Sequence, residues 1–269
     1  MQYRVAIAGL GAIGMNVARA IDGGRVSGLT LAAVSARDVD RAQNRVRDFK
    51  SPPQVHALGE LANHADIIIE CVPARSFRTV AEPTVEQGRW LVPLSVGALL
   101  EHMDLVDRAR ETGARIAVPT GALIGLDTVR AMAVGEIQEV RLETRKPPAG
   151  LAGAPYLEAN AIDVSGLTEP LRVFAGTARE AARAFPANVN VAAALGLAGL
   201  GPDRTMVEVW ADPEIARNQH TVTVTSDSGE ATMIMRNIPS DENPRTGRIV
   251  ANSVIASLQR FTAPIVSGS

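Results

Sequence analysis

Three glycines close to the N-terminus have the spacing of a loop that binds a dinucleotide. The run with the pattern G-x-G-x-x-G follows a strand-like apolar run and reads Gly9-Leu10-Gly11-Ala12-Ile13-Gly14. In such a loop Gly9 permits a tight turn, Gly11 lets the backbone approach a pyrophosphate, and Gly14 allows a helix to pack closely on a strand. Ala12 and Ile13 then begin a helix whose N–H groups face the phosphates. The sequence therefore predicts a nicotinamide dinucleotide site formed by these five residues.

The residues that end the second predicted strand indicate which nicotinamide cofactor this site takes. A site selective for NAD usually has Asp or Glu at this point, about 20 residues after the glycines. Here Ser35 stands at that point and Arg37 follows, and a guanidinium can bind a 2′-phosphate through two hydrogen bonds. Asp38 has two interpretations, a hydrogen bond to the ribose 2′-hydroxyl or a cap on the next helix. The sequence favours acceptance of NADP and leaves the use of NAD open.

One of the four histidines stands where a general base would be useful. His220 begins a strand of alternating residues, from which a side chain can point into a cleft. Histidine titrates closest to neutrality, which makes it a natural general base. His56 and His64 lie next to turns and His102 lies in a helix, so we interpret these three as surface or structural residues. On its position alone, His220 fits a catalytic role and a structural role alike.

The charge and composition of the chain exclude several classes of function. The 269 residues include 27 Lys and Arg and 29 Asp and Glu, so the net charge is −2 and no basic field exists to hold nucleic acid. Aromatic residues make up 3% of the chain, too few for a surface that stacks bases. The apolar fraction of 46% is typical of a globular protein. We expect no nucleic-acid partner and no metal site.

The single cysteine and the short apolar runs indicate the cellular compartment in which we expect the protein. Cys71 excludes an internal disulfide and suits a reducing compartment. We interpret its side chain as a small buried hydrophobe rather than as a nucleophile. The first residues lack the features of a signal peptide, and no apolar run approaches the roughly 18–20 residues that cross a bilayer. We therefore expect a cytoplasmic protein without a membrane segment.

The elements that position these residues alternate between strand and helix in the first half of the chain. The strand candidates are apolar runs, at Val5–Ala8, Leu29–Val34, Asp66–Val72, Trp90–Leu94 and Ile116–Val118. Helical patterns lie between them, at Ala12–Ile21, Asp40–Asp48 and Leu99–Arg110. We interpret the arginines of the second helix as a solvated face, at Arg41, Arg45 and Arg47. We predict an N-terminal Rossmann domain over residues 1–125, built on a doubly wound parallel sheet.

The second half of the chain carries strands with two chemically different faces. Apolar and charged residues alternate over 140–145, and threonine alternates with valine over 221–225. Helical patterns lie at 177–184, 189–200 and 249–261. We predict a C-terminal α/β domain with an open mixed sheet over residues 126–269. We expect it to bind the substrate and to carry the oligomer contact, with a last helix that can pack back on the N-terminal domain.

Five segments of the chain, taken in order, resemble one enzyme family. They are Gly121-Ala122-Leu123-Ile124-Gly125-Leu126-Asp127, Thr144-Arg145-Lys146-Pro147-Pro148, Phe185-Pro186-Ala187-Asn188-Val189-Asn190-Val191-Ala192-Ala193, Asn218-Gln219-His220 and Asn243-Pro244-Arg245-Thr246-Gly247. Each segment alone is a modest signal, whereas five in register are specific. Together with the glycine loop, they make the sequence similar to the L-aspartate dehydrogenase family from residue 5 to about residue 260.

This resemblance implies an activity and several site residues. The family oxidises and deaminates L-aspartate with NAD or NADP, and the first product is iminoaspartate. That imine can feed quinolinate synthesis, or it can hydrolyse to oxaloacetate and ammonia. The catalytic histidine of the family corresponds to His220. Its contacts on the nicotinamide side correspond to Ala122 and to Asn188 or Asn190, between which the sequence does not decide.

An aspartate substrate carries two carboxylates, which call for cationic partners. The candidates lie in loops or strand ends of the C-terminal domain, at Arg145, Lys146 and Arg245. Lys146 precedes a proline, which holds it extended, and we place it in the catalytic set as well as in the substrate-binding set. Thr246 either touches the substrate or caps the last helix.

Two other interpretations keep the same architecture. One is an enzyme with another substrate, such as a reductase of the dihydrodipicolinate reductase or homoserine dehydrogenase type, or a dehydrogenase of another amino acid. The other is a module that binds NAD(P) and signals without catalysis. In each case we expect a homodimer, because closed two-fold assemblies are the commonest and an open sheet needs its second face covered.

Overall fold

The structure, a computed structural model, describes residues 2–186, 190–243 and 246–268. It divides into two compact units. The first unit takes Met1–Pro119 together with Val250–Val266, and the second takes Thr120–Ile249 together with Ser267–Ser269. The change of unit after residue 119 lies a few residues before the boundary that we expected, and most of the last helix groups with the first unit.

The first unit contains a parallel sheet, which confirms the predicted Rossmann architecture. Its strands are β1 (Tyr3–Ala8), β2 (Leu29–Ser35), β3 (Gln54–Val55), β4 (Ile67–Glu70), β5 (Trp90–Pro93) and β6 (Arg115–Ile116). In the described residues the six strands have the order β3-β2-β1-β4-β5-β6, with every pair parallel. The helices before residue 119 are α1 (Ala12–Asp22), α2 (Val39–Val46), α3 (Leu61–His64), α4 (Phe77–Glu86), α5 (Val96–Leu100) and α6 (Asp104–Thr112).

The buried strands of this sheet follow from their sequence. Ile67, Ile68 and Ile69 are each fully buried, as expected for a strand covered on both faces. Ala8 of β1 pairs with Ser35 on one side and with Glu70 on the other. The carboxyl ends of three neighbouring strands therefore meet at the point where the strand order reverses, which is where ligands bind in doubly wound sheets.

One predicted helix is divided in the structure. The pattern over Leu99–Arg110 predicts a single helix, but α5 ends at Leu100 and α6 begins at Asp104. The N–H groups of Glu101 and His102 bond three residues back, to Ala98 and Leu99, which tightens and closes the last turn of α5. Asp104 and Asp107 then favour a new N-terminus, because carboxylates stabilise the positive end of the helix dipole.

The second unit contains a mixed sheet, which confirms the predicted α/β domain. Its strands are β7 (Ile137–Lys146), β8 (Leu171–Thr177), β9 (Met206–Ala211), β10 (Gln219–Ser226) and β11 (Gly229–Arg236). The described strands have the order β11-β10-β7-β9-β8, in which β7 and β9 are parallel and the other pairs are antiparallel. The remaining helices are α7 (Leu126–Met132), α8 (Pro148–Leu151), α9 (Pro155–Ala159), α10 (Ala178–Ala184), α11 (Asn190–Ala198) and α12 (Arg248–Gln259).

The alternation in β7 and β10 divides this sheet into a buried face and an outward face. Leu142 and Val222 lie on the buried face, in one apolar cluster with Val129 of α7 and Leu195 of α11. The alternate residues of β7 and β10, from Arg141 and Thr223 onward, are partly or fully exposed. The outward face therefore has no helical layer of the kind that covers the buried face.

Candidate active site

The glycine loop has the geometry that its spacing predicts. Gly9 has a φ of +97°, and a Cβ there would lie 2.6 Å from the carbonyl oxygen of Cys71. A Cβ on Gly14 would lie 2.0 Å from the carbonyl oxygen of Gly9. Both positions exclude a side chain, because the backbone itself occupies the space. Gly9 N–H also bonds to the carbonyl of Ser35 at 2.8 Å, which ties the loop to β2.

Gly11 differs from the other two glycines of the loop. A Cβ there would meet no protein atom within 4 Å, so the chain itself does not require glycine. Gly11 is the N-cap of α1, and no side chain caps that helix end. Open space beside uncapped N–H groups fits the pyrophosphate of a dinucleotide, which would lie against Gly11, Ala12 and Ile13.

The end of β2 leaves a guanidinium without an acidic partner. Asp38 caps α2, since its Oδ1 accepts the N–H of Arg41 at 2.9 Å, which is one of its two predicted roles. Ser35 is buried, and it closes β2. Arg37 is exposed and makes no ion pair with any described residue. Arg45 is not simply solvated, because its guanidinium donates to the carbonyl of Leu10 in the glycine loop.

A buried carboxylate that the sequence analysis did not identify holds the loop after β4. Glu70 accepts hydrogen bonds from the N–H of Val72 at 2.8 Å and from the N–H and hydroxyl of Ser95 at 2.9 and 3.0 Å. Burial raises the pKa of the Glu70 carboxyl. Cys71 is partly buried against the apolar core of the first unit, not fully buried as predicted. Burial, together with the Glu70 charge, raises the pKa of its thiol, which argues against a nucleophile.

Lys146 lines a cavity of about 390 Å³ in the second unit. The cavity walls are mostly polar or small residues, at Lys146, Pro147, Ala149, Gly150, Ala216, Arg217, Asn218, Asn237, Pro239, Asn243 and Gly247. Lys146 is only 4% exposed, and burial lowers its pKa from 10.5 to about 8. A buried amine of this kind exchanges its proton near neutral pH.

His220 lies on the same buried face of the sheet as Lys146. His220 pairs directly with Thr144 across β10 and β7, and its Nδ1 lies 3.1 Å from the Thr144 hydroxyl. Lys146 follows Thr144 by two residues and so shares its face. Burial, and then the Lys146 charge, lowers the pKa of His220 to about 3. The argument that His220 titrates near neutrality therefore does not hold in the folded protein, where the ring is neutral.

Arg145 does not face this site, which corrects its prediction as a substrate clamp. Its guanidinium bonds to Glu143 at 2.7 Å and to Asp212 at 3.0 Å, and it stacks over Trp210 at 4.8 Å. The reason is the pleat of β7, which turns adjacent residues to opposite faces. The ion pair with Asp212 ties β7 to the end of β9 on the outward face.

Asn237 joins the cavity to the segment that contains Ala122. Its Nδ2 donates to the carbonyl of Ala122 at 3.2 Å, and its side chain is buried. Its Oδ1 has no hydrogen-bond partner among the described residues. A Cβ on Gly247 would lie 3.0 Å from that oxygen, so glycine there leaves room for Asn237. The sequence offered no signal for Asn237 beyond its place in a run rich in Asn and Pro.

Some of the other predicted site residues lie within the described part of the chain and some do not. Asn188 and Arg245 lie outside the described residues, and Asn190 begins α11. The Thr246 hydroxyl accepts a hydrogen bond from Asn243 Nδ2 at 3.2 Å, within the turn that precedes α12. Arg217 and Asn218, which we did not predict as binding residues, line the cavity with Lys146.

Two kinds of feature are absent from the described residues. No group of three or more His, Cys, Asp or Glu side chains is arranged to hold a metal ion. No helix combines the length and the hydropathy needed to cross a membrane.

Comparisons with known proteins agree with this architecture. The family model described as aspartate dehydrogenase, C-terminal, matches residues 127–261. The model described as homoserine dehydrogenase, NAD binding domain, matches residues 9–119. The crystal structure of aspartate dehydrogenase from Thermotoga maritima has a TM-score of 0.77 and 21% identity, and the match covers 100% of both chains. This last likeness supports the fold.

Curated relatives share much more of the sequence. L-aspartate dehydrogenase of Bradyrhizobium diazoefficiens is 52% identical, over 100% of this chain and 95% of that protein. L-aspartate dehydrogenase 3 of Bordetella bronchiseptica is 49% identical, over 98% of this chain and 97% of that protein. The chain therefore belongs to the L-aspartate dehydrogenase family of oxidoreductases, with a nicotinamide dinucleotide domain of the Rossmann type.

Proposed function

We propose that this protein catalyses the NAD(P)-dependent oxidative deamination of L-aspartate to iminoaspartate, with the substrate in the cavity lined by Lys146. The observation that carries the proposal is the buried amine of Lys146, which lines a polar cavity, together with the buried His220 ring on the same face of the second sheet. Burying two such groups is costly for folding, so their retention indicates a functional site.

Lys146 is the group that we propose takes a proton from the substrate. Oxidation of an amine requires the ammonium to lose a proton before a hydride leaves Cα. With a pKa of about 8, the Lys146 amine is close in basicity to what that transfer needs near neutral pH. His220, whose residue type predicts a base, stays neutral and serves as a hydrogen-bonding group on the same face. A nicotinamide cofactor, when bound, supplies the acceptor for the hydride.

The cations of the cavity suit a dicarboxylate. Arg217 lines the cavity, is exposed, and makes no ion pair with a described residue. We propose that Arg217 binds one substrate carboxylate, in place of Arg145, whose guanidinium is already paired. A guanidinium suits this task because it can donate two parallel hydrogen bonds to a carboxylate. Arg245 and Thr246 keep their predicted role in substrate binding as part of the proposal, as do Ala122 and Asn188 or Asn190 on the nicotinamide side.

We also propose that the cofactor site accepts NADP. The exposed guanidinium of Arg37 supports this, because it makes no ion pair within the part of the chain that the structure describes. Ser35 supports it as well, because an NAD-selective site would have an acidic residue there. Asp38 is held at the start of α2 by its hydrogen bond to the N–H of Arg41.

The fate of the product and the assembly are further parts of the proposal. Iminoaspartate released in water hydrolyses to oxaloacetate and ammonia, and it can also supply quinolinate synthesis. We propose a cytoplasmic homodimer that covers the outward face of the second sheet, where Met206 and Ile234 are 45% and 47% exposed. Sedimentation of the purified protein at micromolar concentration tests the dimer, and a monomer there would contradict it.

The direct test is the absorbance of reduced nicotinamide. Purified protein is mixed with L-aspartate and either NADP or NAD, and Lys146→Met is run beside the wild type. We expect turnover by the wild type and a loss of at least about 10²-fold in the variant. Turnover of other amino or keto acids, but not of L-aspartate, would show that the protein is a different dehydrogenase or reductase. Cofactor binding without turnover on any substrate would favour the sensing module.

A further inference from the structure

Thr144 and His220 form a buried pair across two neighbouring strands. They stand directly opposite each other on β7 and β10, the Thr144 side chain is fully buried, and His220 is 3% exposed. The Thr144 hydroxyl and His220 Nδ1 are 3.1 Å apart. Among the described residues each of these two atoms has the other as its hydrogen-bond partner.

The positions of the protons in this pair follow from the hydrogen bonds that each buried donor and acceptor must make. A threonine hydroxyl has one proton to donate, and a buried proton without an acceptor costs its full desolvation. The acceptor within reach is His220 Nδ1. If Nδ1 itself carried a proton, the hydroxyl would have to accept, and its own proton would point at no acceptor in the described residues. Burial, and then the neighbouring Lys146 charge, opposes a second proton on the ring and lowers its pKa, so the ring carries one N–H.

We propose that Thr144 is a positioning residue that donates to Nδ1 and holds His220 in the tautomer with its proton on Nε2. The proposal deepens the proposed function and rests on it for the identity of the substrate. His220 then presents a hydrogen-bond donor, and not a base, to the ligand. The matching group on an amino-acid substrate is a carboxylate oxygen, which can only accept.

This assignment divides the roles on the buried face between two residues. Lys146 carries the exchangeable proton, and His220 supplies a fixed, neutral N–H. Thr144 sets which ring nitrogen bears that hydrogen, as second partners of imidazoles commonly do. The pleat puts Thr144 and Lys146 on one side of β7, and the register of β10 brings His220 to the same side.

The tautomer is measured directly by long-range ¹H–¹⁵N correlation on protein labelled with ¹⁵N-histidine. The four histidines are distinguished with His220→Gln, which removes one ring. We expect the His220 ring near neutral pH to show an unprotonated Nδ1 and a protonated Nε2. A protonated Nδ1 in the wild type would overturn the proposal. This measurement needs no substrate, so it stands even if L-aspartate is not turned over.

The kinetic consequence is tested with two substitutions of one residue. Thr144→Val keeps the shape and removes the hydroxyl, and Thr144→Ser keeps the hydroxyl. We expect Thr144→Val to lower kcat/KM for L-aspartate by about tenfold and to populate the other tautomer, whereas Thr144→Ser restores most of both. Thr79→Val, at an exposed position of α4 in the first unit, is the matched control and leaves both unchanged. An unchanged tautomer and unchanged kcat/KM in Thr144→Val would overturn the proposal.

Discussion

The side-chain amide of Asn237 donates to the backbone carbonyl of Ala122 at 3.2 Å, which joins residues 115 positions apart in the chain. Because a carbonyl can only accept, this bond sets the orientation of the amide and leaves Oδ1 on the other side, beside Gly247. The bond therefore links a wall of the cavity to the segment that we assign to the nicotinamide side.

Asn237→Asp tests that link. A carboxylate would repel the Ala122 carbonyl and would be buried without a donor in the described residues. We expect a loss of about 2 kcal/mol in the free energy of unfolding, measured by urea denaturation. Asn44→Asp, on the exposed side of α2, is the control and should change stability little. Equal effects of the two substitutions would show that the Asn237 amide is not under this constraint.

Gly247→Ala tests the packing of the same side chain. A Cβ there would lie 3.0 Å from Asn237 Oδ1 and 3.2 Å from its Cβ, so Asn237 must shift. We expect a destabilisation of about 1–2 kcal/mol and a higher KM for L-aspartate. Gly59→Ala is a suitable control, because its nearest contact would be an ordinary 3.8 Å. An unchanged KM in Gly247→Ala would show that the position of the Asn237 side chain does not affect substrate binding.

The chain contains two lysines, which makes the Lys146 pKa directly measurable. In protein labelled with ¹³C at lysine Cε, we expect Lys146 to titrate near pH 8, whereas the exposed Lys50 supplies the reference signal in the same sample. The profile of kcat/KM against pH should rise through the same region, because the neutral amine is the active form. A Lys146 pKa that stays at the ordinary 10.5 would exclude Lys146 as the base.

Lys146 also makes stability depend on pH. Its pKa is 10.5 when unfolded and about 8 when folded, so the unfolded chain binds more protons between those values. The folded protein is thus penalised fully below pH 8, by at most about 3 kcal/mol, and the penalty disappears toward pH 10.5. Lys146→Met should therefore unfold at a higher temperature than the wild type at pH 7, with a difference that shrinks as the pH rises. Lys50→Met, which is exposed, should show no such difference.

Arg37→Ala tests the cofactor preference. Loss of the guanidinium should lower kcat/KM for NADP by about tenfold and leave that for NAD within about twofold, because the 2′-phosphate is the group that distinguishes them. Arg47→Ala, at an exposed arginine two residues after Arg45, is the control. Equal losses with both cofactors would mean that Arg37 does not contact the 2′-phosphate.

The local pattern of residue types in the sequence determined many of the helices, strands and turns of this protein. Steric rules act within a few residues, so the glycine loop, the solid strand at Ile67–Ile69 and the alternation in β7 and β10 could be predicted from the sequence. The same rules limited the prediction at the helix pair α5 and α6, where the end of a turn depends on capping and packing. The choice of His220 and Lys146 came from residue types and from the family resemblance.

Only the tertiary structure decided how the site residues meet. The bond between Thr144 and His220 spans 76 positions, and it depends on the register of two strands that neither strand encodes alone. Burial, which is a property of the packed sheet, moves the pKa values of Lys146 and His220 in ways that residue type does not reveal. Lys146 and Arg145 are adjacent in the chain, but the pleat of β7 points their side chains to opposite faces of the sheet. Which of these faces is buried depends on the packing of the core, which the sequence of β7 alone does not determine.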